Sequence, residues 1–472
     1  MDKEIKQSKG RKLLNKIFDF EKRGSKLSAE ILGGLVTFLA MIYILPTNAD
    51  ILSNMGIDQG GVFVATAIVS AIVTLIMGFY GNFPIVLSAG MGVNAYLAFT
   101  VFNEFQSWQA SLLIMFLAGI VFAVISLSPI RKIMIDAIPN DIKFIISAGL
   151  GAFIAFVGFK GSGIIVQNDA TLVGLGNLRD PMVLLAIIGL ILVLVFMFVN
   201  NKLLNQLAIP IAMVAVVVIA VIVWNSFAIN DGSAFMFSEL QAVFKDGSKW
   251  GGRGVEKVAF KIFEGDLWKI ALSNPSTYAF IFSLVLVNLF DTTATILAVG
   301  RGAGIVSEEG ELIGGTKAVT ADAVGAVICA PLGTSTVTSF AESGIAVEMG
   351  AKTGLAAVVA GFLFLLSAFI YPIFHIFTEP AVTSMALISV GGLIFINNLK
   401  AINWEDRIVG FTAFFTIILI LLTYSISDGL GIGLILYVIM MLVSKRAKEV
   451  KLPMYIVSII FVIYFVLKAF IN

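Results

Sequence analysis

The sequence predicts an all-α polytopic membrane protein. It reads as 14 transmembrane segments in 7+7 inverted repeats, with short extended segments in spans 3 and 10. Three observations carry this. Apolar residues make up 59% of the chain and charged residues only 13%, against about one quarter charged in a soluble domain. Apolar runs long enough to cross a bilayer recur along the whole length. Corresponding motifs appear in the same order in the two halves, an odd number of spans apart.

In chain order, residues 1–28 carry nine Lys or Arg and read as a cytoplasmic N-terminal tail. They lack the short apolar core of a cleavable signal peptide. Residues 29–226 form the first seven-span repeat. Its apolar runs are 31–52, 62–80, 84–99, 110–127, 142–159, 182–199 and 207–224. Residues 227–276 are polar and charged and read as an extracellular loop. Residues 277–444 form the second repeat, with runs at 278–299, 317–330, 334–347, 355–373, 382–396, 408–424 and 426–443. Residues 445–472 are a C-terminal tail with an additional apolar segment, 454–470, that either spans or lies at the interface. The runs at 84–99, 317–330 and 334–347 are shorter or more polar than a full span of about 20 residues.

Charge orients this layout. With the N-terminus inside, 22 Lys or Arg fall on the inner side and eight on the outer. Six of those eight lie in the long 227–276 loop, which the positive-inside rule weighs little. The repeat signal is a set of ordered matches. Asn48-Ala-Asp-Ile-Leu52 echoes Thr293-Ala-Thr-Ile-Leu297, and Gly60-Gly61 echoes Gly314-Gly315. Gly81-Asn-Phe-Pro-Ile-Val-Leu87 echoes Gly333-Thr-Ser-Thr-Val-Thr-Ser339. Pro139 followed by Gly149 and Gly151 echoes Pro380 followed by Gly391 and Gly392. Partners seven spans apart have opposite orientation in the membrane. Inverted repeats with interrupted spans mark secondary transporters, with substrate near the midplane.

Composition also excludes classes. A net charge of +1 implies no nucleic-acid partner. One Cys, Cys329, allows no intrachain disulfide, and one His, His375, rules out a multi-histidine metal site. No phosphate-binding Gly-Lys-Ser/Thr loop is present, which argues against ATP-driven transport. The chemistry therefore rests on buried polar groups. Asn288, Asp291 and Thr295 share one helix face inside an apolar run. A carboxylate at mid-membrane costs about 2.5–3.5 kcal/mol on insertion scales, so the stripe must face protein or a cavity. A hydrogen bond between two helices is the structural alternative. Pro84–Ser88 and Thr334–Ser339 are β-branched or polar, and extended backbone at this depth is tolerated only inside protein or beside a cavity. Each leads into a short helix whose first amides can donate to a ligand. Glu342 stands at the start of the second of these. Two acids suit a neutral ligand rich in N–H groups, and each has reason to bind a proton. Asn94 offers both donor and acceptor. Asp322 reads as structural, and Asp50 and Asp428 as span-end residues.

At these residues the sequence resembles a known family. Ser88-Ala-Gly-Met-Gly-Val-Asn-Ala-Tyr96, Leu289-Phe-Asp-Thr292, Thr320-Ala-Asp-Ala-Val-Gly325 and Gly333-Thr-Ser-Thr-Val-Thr-Ser-Phe-Ala-Glu-Ser343 are similar to signatures of the nucleobase:cation symporter-2 family. The branch is that of purine permeases (hypoxanthine/guanine, azaguanine-type), and the likeness runs from about Lys26 onward. It implies a core domain (spans 1–4 and 8–11) sliding against a gate domain (spans 5–7 and 12–14). It implies Asp291 and Glu342 as base-binding and proton-coupling carboxylates and Asn94 as a third contact. Thr295 and the backbone around Ala341 complete the implied substrate site. Ser88-Ala89 departs from the family's Ala-Pro, and Thr293-Ala294 from its commoner Ala-Gly.

The resulting expectation is a multi-pass plasma membrane importer of purine nucleobases, not an enzyme. Hypoxanthine and guanine are favoured and adenine stays open. The proton is the expected coupling ion, with sodium the alternative, and no cofactor or metal is implied. The expected partners are the purine substrate and the lipid bilayer; a homodimer is left open. The rivals are an anion transporter or channel on the same fold, which would want a basic or amide-lined site, and an intramembrane hydrolase using the paired carboxylates.

Overall fold

The computed structural model describes residues 9–129, 131, 138–227, 245, 247, 250–305 and 312–471. Most of the first half of the expected 227–276 loop, 228–244, 246, 248 and 249, lies outside the described residues, as does the first part of the N-terminal tail. Eight described helical segments are long and apolar enough to cross a membrane: Leu27–Ser53, Gln59–Gly81, Trp108–Ser126, Asn140–Gly161, Pro181–Phe198, Ser276–Gly302, Pro380–Leu399 and Ile426–Val443. The pair Gly354–Ser367 and Tyr371–Thr378, bent by 93°, makes a ninth if counted as one span. Ala208–Ile222, Arg407–Thr423 and Leu452–Val466 are shorter apolar helices.

The first half begins with α1 (Lys9–Phe18). The first span is split into α2 (Leu27–Met41) and α3 (Ile44–Ser53), and α4 (Gln59–Ile76) ends in a π-helical turn, Met77–Gly81. Asp58 caps α4 by accepting from Gly61 N at 2.7 Å. The strand β1 (Leu87–Ala89) enters α5 (Met91–Tyr96), which continues through a π turn into α6 (Phe102–Phe105). Then come α7 (Trp108–Ser126), α8 (Asn140–Gly161), the exposed hairpin β2–β3 (Ile165–Asn168, Leu172–Leu175), α9 (Pro181–Phe198), α10 (Lys202–Gln206) and α11 (Ala208–Phe227).

The second half follows α12 (Leu267–Ser273). It contains α13 (Ser276–Gly302), α14 (Gly315–Ile328) and β4 (Val337–Ser339), which passes through a 3-10 turn, Ala341–Ser343, into α15 (Gly344–Glu348). Next are α16 (Gly354–Ser367), α17 (Tyr371–Phe374), α18 (Pro380–Leu399), α19 (Arg407–Thr423), α20 (Ile426–Val443) and α21 (Leu452–Ile471). The last apolar run is thus a helix. It packs on α20, with Tyr464 donating to Asp428 Oδ1 at 3.0 Å.

The two strands that come from opposite halves pair antiparallel, with Leu87 opposite Ser339, Ser88 opposite Thr338 and Ala89 opposite Val337. A two-stranded ribbon inside a membrane protein leaves two outer edges, and each unpaired group there is costly. Flanking helices satisfy them. Thr74 of α4 accepts from Leu87 N and donates to Leu87 O, both at 3.0 Å. Asp322 of α14 accepts from Ser339 N at 3.1 Å. Pairing extends past the strands: Gly90 N donates to Thr336 O, and Phe340 N to Val86 O, both at 3.1 Å.

The helices pack in two groups. One holds α2–α4, α7 and α13–α16 around the ribbon; the other holds α8, α9, α11 and α18–α20. The axis of the second group is the α8–α18 pair. A Cβ on Gly151 would lie 2.7 Å from Gly391 O, and one on Gly391 would lie 2.6 Å from Gly151 O. Only glycine at both positions lets these backbones touch. At one end of this group Arg446 pairs with Asp406 at 2.7 Å and with Glu449 at 2.7 Å.

Candidate functional site

The site gathers where the ribbon meets α13. Glu342 lies in the 3-10 turn directly after β4, and α13 packs against β4, that turn and α15. Asp291 and Glu342 thus stand on elements packed against each other. Asp291 stands mid-way along the 27-residue helix α13 and is exposed at the protein surface. Ala341 is exposed and Glu342 half-buried, whereas Thr295, one turn beyond Asp291, is buried.

A polar cavity of about 480 Å³ opens beside Ala341. Ala341, Gly344, Ile345 and Glu348 line one wall, and residues from Val199 to Gln206 line the other. Its mouth is bridged: Lys202 pairs with Glu348 at 3.1 Å, and Gln206 donates to the same oxygen at 2.6 Å. A second cavity, of about 440 Å³, lies between α2–α3 and α11. Its walls are aliphatic or aromatic apart from the Tyr43 hydroxyl, so it offers little to an N–H-rich ligand.

Tyr43, at the break between α2 and α3, donates to Glu342 Oε1 at 3.2 Å. Sequence reasoning did not single it out. The available signal was a phenol in an apolar span, which needs a partner. Among the described residues neither Asp291 nor Glu342 forms an ion pair. A cation does approach α13, however: Arg131, from the connection between the apolar runs 110–127 and 142–159, donates to Thr293 Oγ1 at 3.1 Å.

Asn94 lines neither cavity. It is fully buried, its Oδ1 accepts from Ser335 Oγ, and its Nδ2 has no partner. Ser335 also faces Asn48 Oδ1 at 3.3 Å. One hydroxyl proton cannot serve both oxygens, so one amide oxygen is left for another donor. Behind it, Asn48 Nδ2 donates to Thr66 and Thr334 at 2.8 and 3.0 Å. This network ties α3, α4, α5 and the segment before β4 together. The sequence matched Asn48 to Thr293 but gave no sign of the cluster.

Asp322 serves the scaffold, accepting from Thr292 Oγ1 at 2.8 Å, Ser339 N at 3.1 Å and Ser339 Oγ at 3.0 Å. Asp50 departs from the expected solvated span end. It accepts from Thr383 Oγ1 at 2.6 Å, linking α3 to α18. Among the described residues no His/Cys/Asp/Glu group could hold a metal ion.

Three comparisons bear on this arrangement. Residues 28–432 match the Permease family (Xan_ur_permease). The chain is 37% identical over 459 residues to the guanine/hypoxanthine permease PbuG of Bacillus subtilis (strain 168), covering 95% of this chain and 98% of that protein. It is 32% identical over 458 residues to the adenine permease AdeQ of Escherichia coli (strain K12), covering 96% of each. Among solved structures, the transmembrane domain of a cyanobacterium bicarbonate transporter, BicA, aligns with a TM-score of 0.59 at 12% identity, covering 85% of this chain and 97% of that one. At that identity the likeness concerns the fold alone.

Proposed function

This chain belongs to the Permease family, and we propose on that premise that it imports purine nucleobases across the plasma membrane by proton symport. It is a multi-pass membrane protein and a permease rather than an enzyme. The observation that carries the substrate reading is the pair Asp291 and Glu342, two acids on packed elements, one exposed and one half-buried, next to the polar cavity lined by Ala341. Carboxylates accept hydrogen bonds and repel anions, so the pair suits the N–H edges of a neutral base. The names of relatives support purines, with guanine and hypoxanthine ahead of adenine.

In this reading Glu342 and the backbone at Ala341 hold the base, Asp291 holds the coupling proton, and Thr295 supports Asp291. Asn94, with its unpartnered Nδ2, supplies a third contact in the ligand-bound state. The chain crosses the membrane fourteen times as two inverted repeats with its N-terminus in the cytoplasm. The group around the ribbon is the moving core, and the group around α8 and α18 is the gate.

The test is uptake of labelled guanine, hypoxanthine, adenine and uracil into cells lacking their own permeases. Purine uptake that is abolished by collapsing the proton gradient is expected. Uracil uptake with neither purine uptake nor purine competition would defeat the substrate assignment. For coupling, Asp291→Asn should keep purine binding and lose gradient-driven accumulation in vesicles. Full accumulation by this variant would remove Asp291 from the proton path.

A further inference from the structure

We propose that α1 is an interfacial helix that docks on the acidic headgroups of the lipid leaflet at its end of the molecule. Its position comes first. Phe18 and Phe20 are buried with Leu355 and Val358 at the start of α16. Asn82 Nδ2 donates to Phe18 O at 3.0 Å. Arg23 donates to Asn82 O at 2.8 Å and to Lys352 O at 3.1 Å. These contacts hold the last residue of α1 and the residues after it beside the ends of three membrane segments: the start of α2, the end of the turn after α4, and the start of α16. Span ends lie where hydrocarbon gives way to headgroups.

The outward face comes second. Leu13 and Ile17 are 59% and 47% exposed, and on the turn after α4 Phe79 and Tyr80 are 52% and 51% exposed. The Phe18 ring, at the end of α1, lies 5.6 Å from that of Phe79, centroid to centroid. Exposed apolar side chains thus lie both on α1 and at the span end where α1 terminates. Charge comes third. Lys9, Lys12 and Lys16 are exposed at spacings of three and four, on the turns that carry Leu13 and Ile17. Among the described residues none of these lysines has an ion-pair partner, whereas Arg11 is held by Glu21 at 2.9 Å. A helix with apolar residues flanked by lysines lies in the interface plane, and the lysines select acidic lipid. The occupant is thus a leaflet rather than a protein groove, because α1 ends against the ends of membrane segments, where headgroups lie.

The experiment uses the full chain with Cys329→Ala and a spin label at Leu13→Cys. The protein is reconstituted in phosphatidylcholine vesicles with and without phosphatidylglycerol. Collision with oxygen against a water-soluble nickel chelate reports depth. With phosphatidylglycerol the label should be oxygen-accessible and chelate-protected. High salt, or Lys9, Lys12 and Lys16→Gln together, should reverse this by roughly fivefold per lysine in docked population. A second label at Gly10→Cys, where an added Cβ meets nothing within 4 Å, guards against a misfolded first variant and should follow the same pattern. Chelate access undiminished by phosphatidylglycerol at both sites would overturn the proposal. Equal depth with and without acidic lipid, insensitive to salt and to the lysine changes, would also overturn it.

Discussion

Glu342→Gln is the sharpest probe of the site. The substitution keeps the shape of the side chain and one acceptor oxygen, and turns the other into an amide donor. Tyr43 donates to Oε1 at 3.2 Å, so the retained oxygen faces Tyr43 and the new amide takes the place of Oε2, the oxygen left for a ligand. A ligand N–H would then meet an N–H. An unpaired buried polar group costs about 1–3 kcal/mol. Glu342 is only half-buried, so the lower part of that range applies, about 1–2 kcal/mol, or roughly five- to thirtyfold weaker binding. Tyr43→Phe should cost less. Its bond is long for O–H···O and contributes about 1 kcal/mol, roughly a fivefold loss. Equilibrium binding of guanine and hypoxanthine to purified protein reads both, with thermal unfolding measured alongside to exclude a folding defect. An E342Q protein that binds within twofold of the parent would refute the placement of the base at Glu342. A Y43F loss without an E342Q loss would give Tyr43 a role other than holding this carboxylate.

Three further outcomes follow from the fold. Gly391→Ala should lower the melting temperature, since its Cβ would lie 2.5 Å from Ala155 N and 2.6 Å from Gly151 O and overpacking costs about 1–3 kcal/mol. Its neighbour Gly392→Ala meets nothing within 4 Å and should be neutral or gain up to about 1 kcal/mol; equal effects would argue against the α8–α18 contact. Thr383→Val removes the bond to Asp50 that joins the two helix groups, worth about 0.5–1.5 kcal/mol. It should raise thiol labelling at Thr47→Cys in a Cys329→Ala background by roughly two- to tenfold, and an unchanged rate would remove the bond from gating. At the Arg446 cluster, burial pushes the Asp406 carboxyl up, but hydrogen bonds from Arg446 and from the Ile408 and Val409 amides outweigh it and hold it low. Arg446 likewise holds Glu449 below its usual value. Depressed carboxyls stabilise above their unfolded pKa and lose that contribution as pH falls, here below about 4. Arg446→Gln should therefore lower the melting temperature at pH 7 and lose its effect in acid; a constant difference across pH would contradict this.

The apolar runs located the helices well because a bilayer demands a run of fixed length, and α4, α7, α8 and α9 begin and end near the runs that announced them. Breaks were less legible. Pro46 marks the split at Ile42 and Tyr43, since it has no N–H for the Ile42 carbonyl and its ring crowds that group, but it sits in an otherwise unbroken apolar run and is easily passed over. The 93° bend after Ser367 likewise falls inside one apolar run. Asp291 and Glu342 were conspicuous because a carboxylate in an apolar run has few uses. Tyr43, Asn48 and Ser335 were not, because Tyr, Asn and Ser are ordinary in membrane helices and acquire meaning only from partners far along the chain. Thr383 and Asp50 are 333 residues apart, a pairing that no local pattern encodes.

The ribbon also has a consequence for how the chain is made. Its strands lie roughly 250 residues apart in sequence, and chains grow at about 5–20 residues per second. β1 therefore emerges about 12–50 s before β4 exists. During that interval Thr74 can cover one edge of β1, but its other edge has no partner within its own half. The nascent first half must keep that edge in water or against the insertion machinery until the second half arrives. Completion of the site thereby waits on the second half: a chain that stops short of β4 leaves one edge of β1 without its partner at membrane depth, at a cost of several kcal/mol per unsatisfied group.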